Sequence, residues 1–392
     1  MAAKAKSTVC NPVKKSSQMG QQYVVYSVQS SFDSSDCVLS PEFTVERRYN
    51  DFVVLHKELS RAFPGAIVPP LPVDQIFGRF RQDFIEARMR GLDEFVTKVH
   101  NHPELCSAKC FRVFLTAPVF DQNALDEIKD GPHEASASKS SSWPTWKYNP
   151  TLTESQSVDT SEMDCKVEEI KHYVSNIADP TECLCDLMDK LLQCERDVAR
   201  SMEKCGESYS ALGSIDNDAC GQSISQVGNT FRSLSAYTVE DVSEKEICAK
   251  EPLNNYMNII KAIKAAYRAQ REMKSKYLCL MGDFEGKKAA YDKEPTESKL
   301  VKVDQAQADV ESAKSEYEEV SQRLLENFER LKKEKMADMI RIMEAFVSLQ
   351  LSYNGKLEGA LSSLDGKLNS LDSRREPLIA TSASTDEDMT TI

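Results

Sequence analysis

The longest helical pattern in the chain places the strongest limit on its fold. From Ser298 to Leu371, apolar residues recur at helical spacing along 74 residues. One helix of that length would extend about 110 Å. It cannot bury its apolar stripe inside a compact globule, so the pattern predicts an elongated antiparallel bundle completed by a second chain. A two-fold symmetric homodimer is the most common way in which a second chain completes such a bundle.

Two further helical runs precede this one and complete the predicted bundle over residues 161–372. The second run extends from Ala219 to about Lys293, and Pro252 inside it predicts a kink or a join. The first run ends at Gly213 and carries apolar residues in steps of three and four, with one double step. They are Leu184, Leu187, Leu191, Cys194, Val198, Cys205, Tyr209 and Leu212.

Residues 7–118 have the pattern of a small α+β domain. β-branched and aromatic runs predict strands, helical periodicity predicts helices, and a proline-rich segment predicts an extended stretch. The predicted order is strands at Tyr23–Val28 and Phe43–Tyr49, a helix at Asp51–Ala62, the extended stretch at Val68–Pro72, and helices at Phe84–His100 and Phe111–Leu115.

The remaining segments have the composition of disorder. Residues 119–160 are acidic and rich in Ser, Thr, Asp and Lys, and we interpret them as a flexible linker. Residues 373–392 are predicted to be a disordered tail. Whether Phe120, Leu125 and Ile128 make a short amphipathic helix in the linker is left open.

The net charge of −13 argues against bulk nucleic-acid binding, which requires a basic surface. It does not argue against an anionic membrane. Residues 117–252 carry 12 basic and 26 acidic groups, whereas 253–282 carries six basic groups and one acidic group. The net value therefore hides a locally basic helix.

No catalytic or cofactor motif is present. The sequence has no His-Glu-x-x-His pattern, nucleophile elbow or glycine-rich phosphate loop, so we predict no enzyme and no cofactor. His102, Cys106 and Cys110 lack a fourth ligand at zinc spacing, so we predict no metal. No apolar run approaches the roughly 20 residues that span a bilayer, and no signal peptide is expected. The twelve cysteines are then expected to be reduced thiols.

Four ordered segments of the N-terminal domain carry a family resemblance. They are Arg47–Phe52 with Leu55, Pro69–Pro72, Arg88 with Leu92, and His102–Leu105. This set resembles the phox-homology (PX) domain, which implies binding of a phosphoinositide, most often phosphatidylinositol 3-phosphate. By that resemblance, Arg48 binds the 3-phosphate, Tyr49 supports the inositol ring and Arg88 holds the ring hydroxyls. An arginine suits a phosphate because its fork of donors is planar and bidentate.

One position departs from the PX pattern. The family usually has a lysine for the 1-phosphate where this chain has Asp74. A carboxylate repels a phosphate, so binding is expected to be weaker than typical, with Arg79 or Arg81 compensating. Ile76 and Phe77 stand where the family has a membrane-inserting loop, although packing beneath that loop explains them equally well.

The helical part resembles the BAR domain of the sorting nexins associated with retromer. Ala211–Ser214 and Asn255–Ile260 carry this looser similarity. It implies three long antiparallel helices and a dimeric six-helix crescent. Exposed basic residues on one helix face and near the far turn would then meet the membrane, although solvated charged faces are common on long helices. They are Lys261, Lys264, Arg268, Arg271, Lys287 and Lys288.

Together these resemblances imply a peripheral PX–BAR sorting nexin on the cytosolic face of early endosomes. It would bind phosphatidylinositol 3-phosphate, form a homodimer or a heterodimer with another BAR-type sorting nexin, and tubulate membrane for retrograde sorting. Retromer cargo-recognition subunits are a further implied partner. The alternative keeps the fold, makes the PX pocket a protein-interaction module because of Asp74, and gives lipid specificity to a partner nexin.

Overall fold

The structure, a computed structural model, describes residues 6–16, 20, 22–31, 42–72, 80–121, 162–216 and 218–372. It divides into two compact units. The first unit contains Met1–Asp179 and Asn255–Glu334, and the second contains Pro180–Asn254 and Lys335–Ile392. No helix in the described ranges is long and apolar enough to cross a membrane.

A three-stranded antiparallel sheet opens the first unit. Its strands are β1 (Lys6–Ser16), β2 (Gln22–Ser31) and β3 (Glu42–Arg48), with β2 in the centre. The predictions for β2 and β3 are confirmed, except that Tyr49 begins the next helix. The sequence analysis missed β1. Its alternation is broken between Cys10 and Val13, where the register shifts at a bulge and Asn11 has a φ of 49°.

Three helices cover this sheet. They are α1 (Tyr49–Ala62), α2 (Gln82–Asn101) and α3 (Lys109–Thr116), with a 3-10 turn at Leu105–Ser107 before α3. All three were predicted within a few residues. The core forms around the fully buried Phe52, whose ring meets Phe114 at 4.9 Å and Tyr26 at 6.5 Å between centroids.

The structure corrects the assignment of one residue between the domains. Phe120 was assigned to the linker, with a possible role in an amphipathic helix. Its side chain is 8% exposed and packs edge-on against Phe114, at 5.2 Å between ring centroids. Because burying an aromatic ring in the core is more favourable than leaving it in water, the folded domain extends through this position.

The helical part follows the predicted three runs. The first is α4 (Glu162–Gly213). The second comprises α5 (Ala219–Lys245), a π-helical turn (Glu246–Lys250) and α6 (Glu251–Lys293), and the third is α7 (Glu297–Asp372). The expected irregularity near Pro252 is the π turn, in which the Glu251 N–H bonds to the Glu246 carbonyl. The wide turn comes just before Pro252, which has no backbone N–H to donate to a regular helix.

Within the first unit, α6 packs between α4 and α7 through apolar and polar contacts. Ile260 and Ile263 on α6 are buried, as are Val174 on α4 and Leu324 on α7. The Tyr267 hydroxyl donates to Glu168 at 2.8 Å, and burial together with this bond raises the pKa of that tyrosine. Three long helices thus form a bundle next to the sheet domain.

The second unit is built from the remaining parts of α4, α5 and α7. Leu192 and Ala199 of α4 and Leu234 and Val242 of α5 are buried. The helices α4 and α5 approach closely at Gly228, where an added Cβ would lie 2.5 Å from Ser210 Oγ. Small residues therefore set the spacing of these two helices.

Candidate functional site

The candidate site begins with Arg48 at the end of β3. Its side chain is exposed, and its guanidinium carbon lies 3.8 Å from the ring centre of Tyr23. Tyr23 lies on β2, diagonally across from Arg48, which pairs with Val25 in the register. The ring holds the guanidinium by a cation–π contact at the surface of the domain.

Asp51, three residues after Arg48, bonds to the backbone of that arginine. Its Oδ2 accepts the backbone N–H of Arg48 at 2.7 Å, which caps the start of α1. Burial raises the pKa of Asp51, while that hydrogen bond and the charges of Arg47 and Arg48 oppose the rise. The carboxylate therefore fixes the backbone at the site.

Tyr49 links three segments of the site. Its hydroxyl donates to the Pro72 carbonyl at 2.8 Å, which fastens the extended proline segment to the start of α1. Gly91 on α2 allows that segment to lie close, because an added Cβ would come within 2.9 Å of the Pro72 side chain. The ring of Tyr49 also lies 4.2 Å from the guanidinium carbon of Arg88. One aromatic residue thus joins the start of α1, the proline segment and α2.

Arg88 is held inside the site by aromatic rings. Only 9% of it is exposed, and its guanidinium carbon lies 4.5 Å from the ring centre of Phe84 as well as against Tyr49. It also hydrogen-bonds Tyr26; burial raises the pKa of that tyrosine and Arg88 opposes the rise. Two guanidinium groups held by rings can present planar, bidentate donors to phosphate or hydroxyl oxygens.

Arg81, the other predicted pocket residue within the described ranges, is placed less favourably. Arg81 is exposed and forms a two-point ion pair with Asp83, at 2.7 and 3.2 Å. This pair lowers the pKa of Asp83. Arg81 was expected to compensate for Asp74, but its positive charge is already partly balanced by Asp83. Residues 73–79 lie outside the described part of the chain, and with them Asp74, Ile76, Phe77 and Arg79.

The predicted basic face on α6 is exposed. Lys261, Lys264, Arg268 and Arg271 point to solvent, whereas Ile260 and Ile263 face the bundle. Near the α6–α7 turn, Lys287 and Lys288 are also exposed, and Lys287 pairs with Asp283 at 3.0 Å. The six predicted basic residues therefore lie at the surface of the first unit.

The second unit has a large exposed apolar surface, which we call the apolar face. Residues at helical spacing on α4 and on α7 make it up, and Leu187 and Leu351 are 54% and 69% exposed. Exposed apolar residues that recur along two helices make this face a candidate interaction site. Its members are Leu184, Leu187, Leu191, Val198 and Leu212 on α4, and Met336, Ile340, Met343, Val347 and Leu351 on α7.

Only part of this face follows the predicted stripes. The α4 residues are the ones that the spacing singled out. On α7, Phe346 and Tyr353 belong to the stripe that helical spacing predicts over residues 298–371, and they are half-buried within the unit, whereas the exposed stripe lies on another side of the helix. The signal was available, because Met336, Ile340, Met343, Val347 and Leu351 are themselves spaced by four, three, four and four.

Sequence reasoning also missed the role of Arg47, the neighbour of Arg48. Arg47 is 1% exposed, and its guanidinium donates to the Phe114 carbonyl at 2.9 Å and to the Ala117 carbonyl. Burial lowers its pKa to about 10, and the charge of Asp51 opposes the fall, so it stays charged at neutral pH. A buried cation thus caps the C-terminal end of α3.

Comparison with known proteins agrees with both parts of this architecture. The family profile described as "PX domain" matches residues 38–118, and the profile described as "Vps5 C terminal like" matches residues 150–357, more than half of the chain. In fold, the chain is similar to the solved structure of the SNX-BAR Mvp1 tetramer, with a TM-score of 0.68 and 14% identity over 91% of this chain and 99% of that one.

Curated relatives agree with the profiles. The chain is 26% identical to sorting nexin 1 of Arabidopsis thaliana over 345 residues, which cover 86% of this chain and 83% of the plant protein. It is 25% identical to vacuolar protein sorting-associated protein vps5 of Schizosaccharomyces pombe over 65% of this chain and 45% of that protein. Human sorting nexin-7 is 39% identical over 26% of each chain. A PX domain followed by a Vps5-like helical region places the chain in the PX–BAR sorting nexins, a non-enzymatic family that acts in endosomal sorting and membrane curvature.

Proposed function

We propose that the PX domain binds phosphatidylinositol 3-phosphate, with Arg48 on the 3-phosphate, Tyr49 against the inositol ring and Arg88 on the ring hydroxyls. The observation that carries this proposal is how the two arginines are held. Arg48 lies on Tyr23 and Arg88 lies against Tyr49 and Phe84. The rings fix the two guanidinium groups in position, and an arginine suits an anionic headgroup because its donors are planar and bidentate.

The basic face on α6 supplies the second membrane contact. Each cation near an anionic leaflet contributes about 1 kcal/mol at most, so several are needed for useful affinity. Pocket and basic face belong to the same compact unit. Weak contacts made together bind more tightly than either does separately, because the second contact is intramolecular.

The apolar face of the second unit is where a second BAR-type chain docks. That chain is another copy of this protein or a related sorting nexin. A dimer would double the basic face and impose curvature on the bilayer. We further propose that the assembly acts on the cytosolic face of early endosomes in retrograde sorting, with retromer cargo-recognition subunits as partners.

Vesicle co-sedimentation tests the pocket. Wild type is expected to bind phosphatidylcholine–phosphatidylserine vesicles more tightly when they contain phosphatidylinositol 3-phosphate, and Arg48→Ala is expected to lose that gain. Arg61→Ala is the matched control, because Arg61 is exposed on α1 of the same domain and pairs with Glu58. Equal binding of wild type to vesicles with and without the phosphoinositide would favour the protein-interaction alternative for this PX domain.

Sedimentation equilibrium tests the apolar face. Leu351→Arg places a charge on this face and is expected to weaken dimerisation strongly. Val301→Arg is the control, since Val301 is 62% exposed on the same helix but belongs to the first unit. Dimerisation of the Leu351 variant with wild-type affinity would exclude this face as the interface.

A further inference from the structure

The His102–Leu105 segment of the PX domain reaches the helical bundle. His102 is 4% exposed, and its Nε2 lies 2.7 Å from Oδ1 of Asn327 on α7. Its Nδ1 accepts the backbone N–H groups of Glu104 and Leu105, each at 3.2 Å. Because Nδ1 accepts, the ring proton is on Nε2 and is donated to Asn327. One neutral imidazole thus shapes the turn after α2 and binds α7.

Asn327 is the centre of this contact. It is 5% exposed, and its Oδ1 also accepts the backbone N–H of Ile67 at 3.4 Å and an N–H of Arg330 at 3.2 Å. Its Nδ2 donates to the Arg323 carbonyl at 2.8 Å. The amide is therefore oriented by α7 itself and joins two separate PX segments to that helix.

Arg323 adds a second connection one turn earlier on α7. Its guanidinium donates to the Pro64 carbonyl at 2.9 Å and to Glu104 Oε1 at 3.1 Å. Gly65, with a φ of 83°, allows the backbones to come close, because an added Cβ would lie 2.5 Å from the Val320 carbonyl oxygen. Charge, hydrogen bonding and close backbone contact all act at the same place.

A third connection joins the two helices that carry the proposed lipid contacts. Asn255 on α6 donates to Glu94 on α2. Glu94 follows Arg88 by six residues on α2, and Asn255 precedes Lys261 by six residues on α6. The helix with the pocket arginine is therefore bonded directly to the helix with the basic face.

We propose that these residues form a docking clamp that fixes the phosphoinositide pocket relative to the basic face, with His102 and Asn327 as its positioning residues. The clamp consists of Glu94, His102 and Glu104 on the PX side and Asn255, Arg323 and Asn327 on the bundle side. The proposal rests on the proposed function. With the clamp closed, a bound headgroup brings the basic face to the bilayer without a search over orientations, which raises its effective concentration.

The clamp predicts that its loss changes the affinity of the full-length chain for one lipid ligand and not for another. Soluble dibutanoyl phosphatidylinositol 3-phosphate occupies only the pocket, whereas vesicles of phosphatidylcholine, phosphatidylserine and phosphatidylinositol 3-phosphate engage both sites. Asn327→Leu is expected to bind the soluble lipid within about twofold of wild type and vesicles at least about tenfold more weakly. Arg323→Gln, a second variant, is expected to act in the same direction.

Gln307→Leu is the matched control, because Gln307 is an exposed amide residue on α7 whose side chain donates to its neighbour Glu311 on the same helix. It should leave both affinities unchanged. Wild-type vesicle affinity in both clamp variants, with normal soluble-lipid binding, would overturn the clamp and leave the pocket standing. Loss of soluble-lipid binding in the clamp variants would also overturn it, since the contact would then shape the pocket itself. Failure of wild type to bind the soluble lipid would overturn the pocket and the clamp together.

Discussion

Replacing Lys245 by Met should destabilise the second unit strongly. Lys245, on α5, is fully buried, and its Nζ lies 2.9 Å from Glu195 Oε1 and 2.7 Å from Asp241 Oδ2. Its ammonium group also lies 5.7 and 5.5 Å from the ring centres of Phe346 and Tyr353 on α7. Burial lowers the pKa of Lys245, but the bonds to Asp241 and Glu195 outweigh this and raise it, so the residue is a cation.

The expected cost follows from the charges that remain. Asp241 is 5% exposed. Within the described residues, Oδ1 of Asp241 and Oε2 of Glu195 are buried without a hydrogen-bond partner. Removing this buried cation leaves both carboxylates without their shared counter-charge, and breaking a buried pair in this way costs about 3–5 kcal/mol. Replacing all three groups by Met or Leu removes the uncompensated charge, so that variant should lie within about 1 kcal/mol of wild type or above it.

Urea unfolding followed by circular dichroism gives the free energies of unfolding. Protein concentration is kept constant, because docking at the apolar face would couple folding to dimerisation. Lys356→Met is the control: Lys356 is 39% exposed and pairs with Glu240 in solvent, so its loss should cost far less stability than the loss of Lys245. The reasoning is refuted if Lys245→Met costs no more than this control.

Two further predictions concern the clamp and the helix spacing. Burial lowers the pKa of His102, Arg330 adds to this, and a hydrogen bond and Glu104 oppose it. Docking of the PX domain on α7 should therefore be complete above the ordinary histidine pKa of about 6.5 and should weaken as the pH falls below that value. The measurement is amide hydrogen exchange, which should become faster in residues 320–328 at the lower pH. Gly228→Ala should lower the free energy of unfolding by about 1–3 kcal/mol, because the added Cβ would clash between α4 and α5. Gly355→Ala is the control, since its added Cβ would lie in open space and should leave stability unchanged. Thermal denaturation of the two variants measures the difference.

The sequence predicted elements whose signals are local. Alternation located β2 and β3, and helical spacing located the three long runs, because each pattern reports one face of one element. The strand β1 was missed where the Asn11 bulge interrupts its alternation. Arg88 was placed in the pocket by family resemblance, but nothing in its local sequence indicated that two rings bury it.

Contacts between distant segments could not be predicted. His102 and Asn327 are 225 residues apart, and neither lies in a pattern that refers to the other. The His-Pro-Glu-Leu motif was noticed, but its partner on α7 is an ordinary asparagine in a charged helix. Such pairs depend on how complete elements pack, which periodicity within one element does not report.

The two adjacent arginines of β3 have a mechanical consequence. Arg47 holds the Ala117 and Phe114 carbonyls, just before the chain leaves the PX domain, and Arg48 is the proposed headgroup ligand. Tension applied through the chain beyond residue 121 would therefore meet the packed Phe120 ring first and the Arg47 contacts next. Those contacts lie one peptide bond from Arg48, so the proposed membrane tether and the point where force enters the domain are neighbours in the covalent chain.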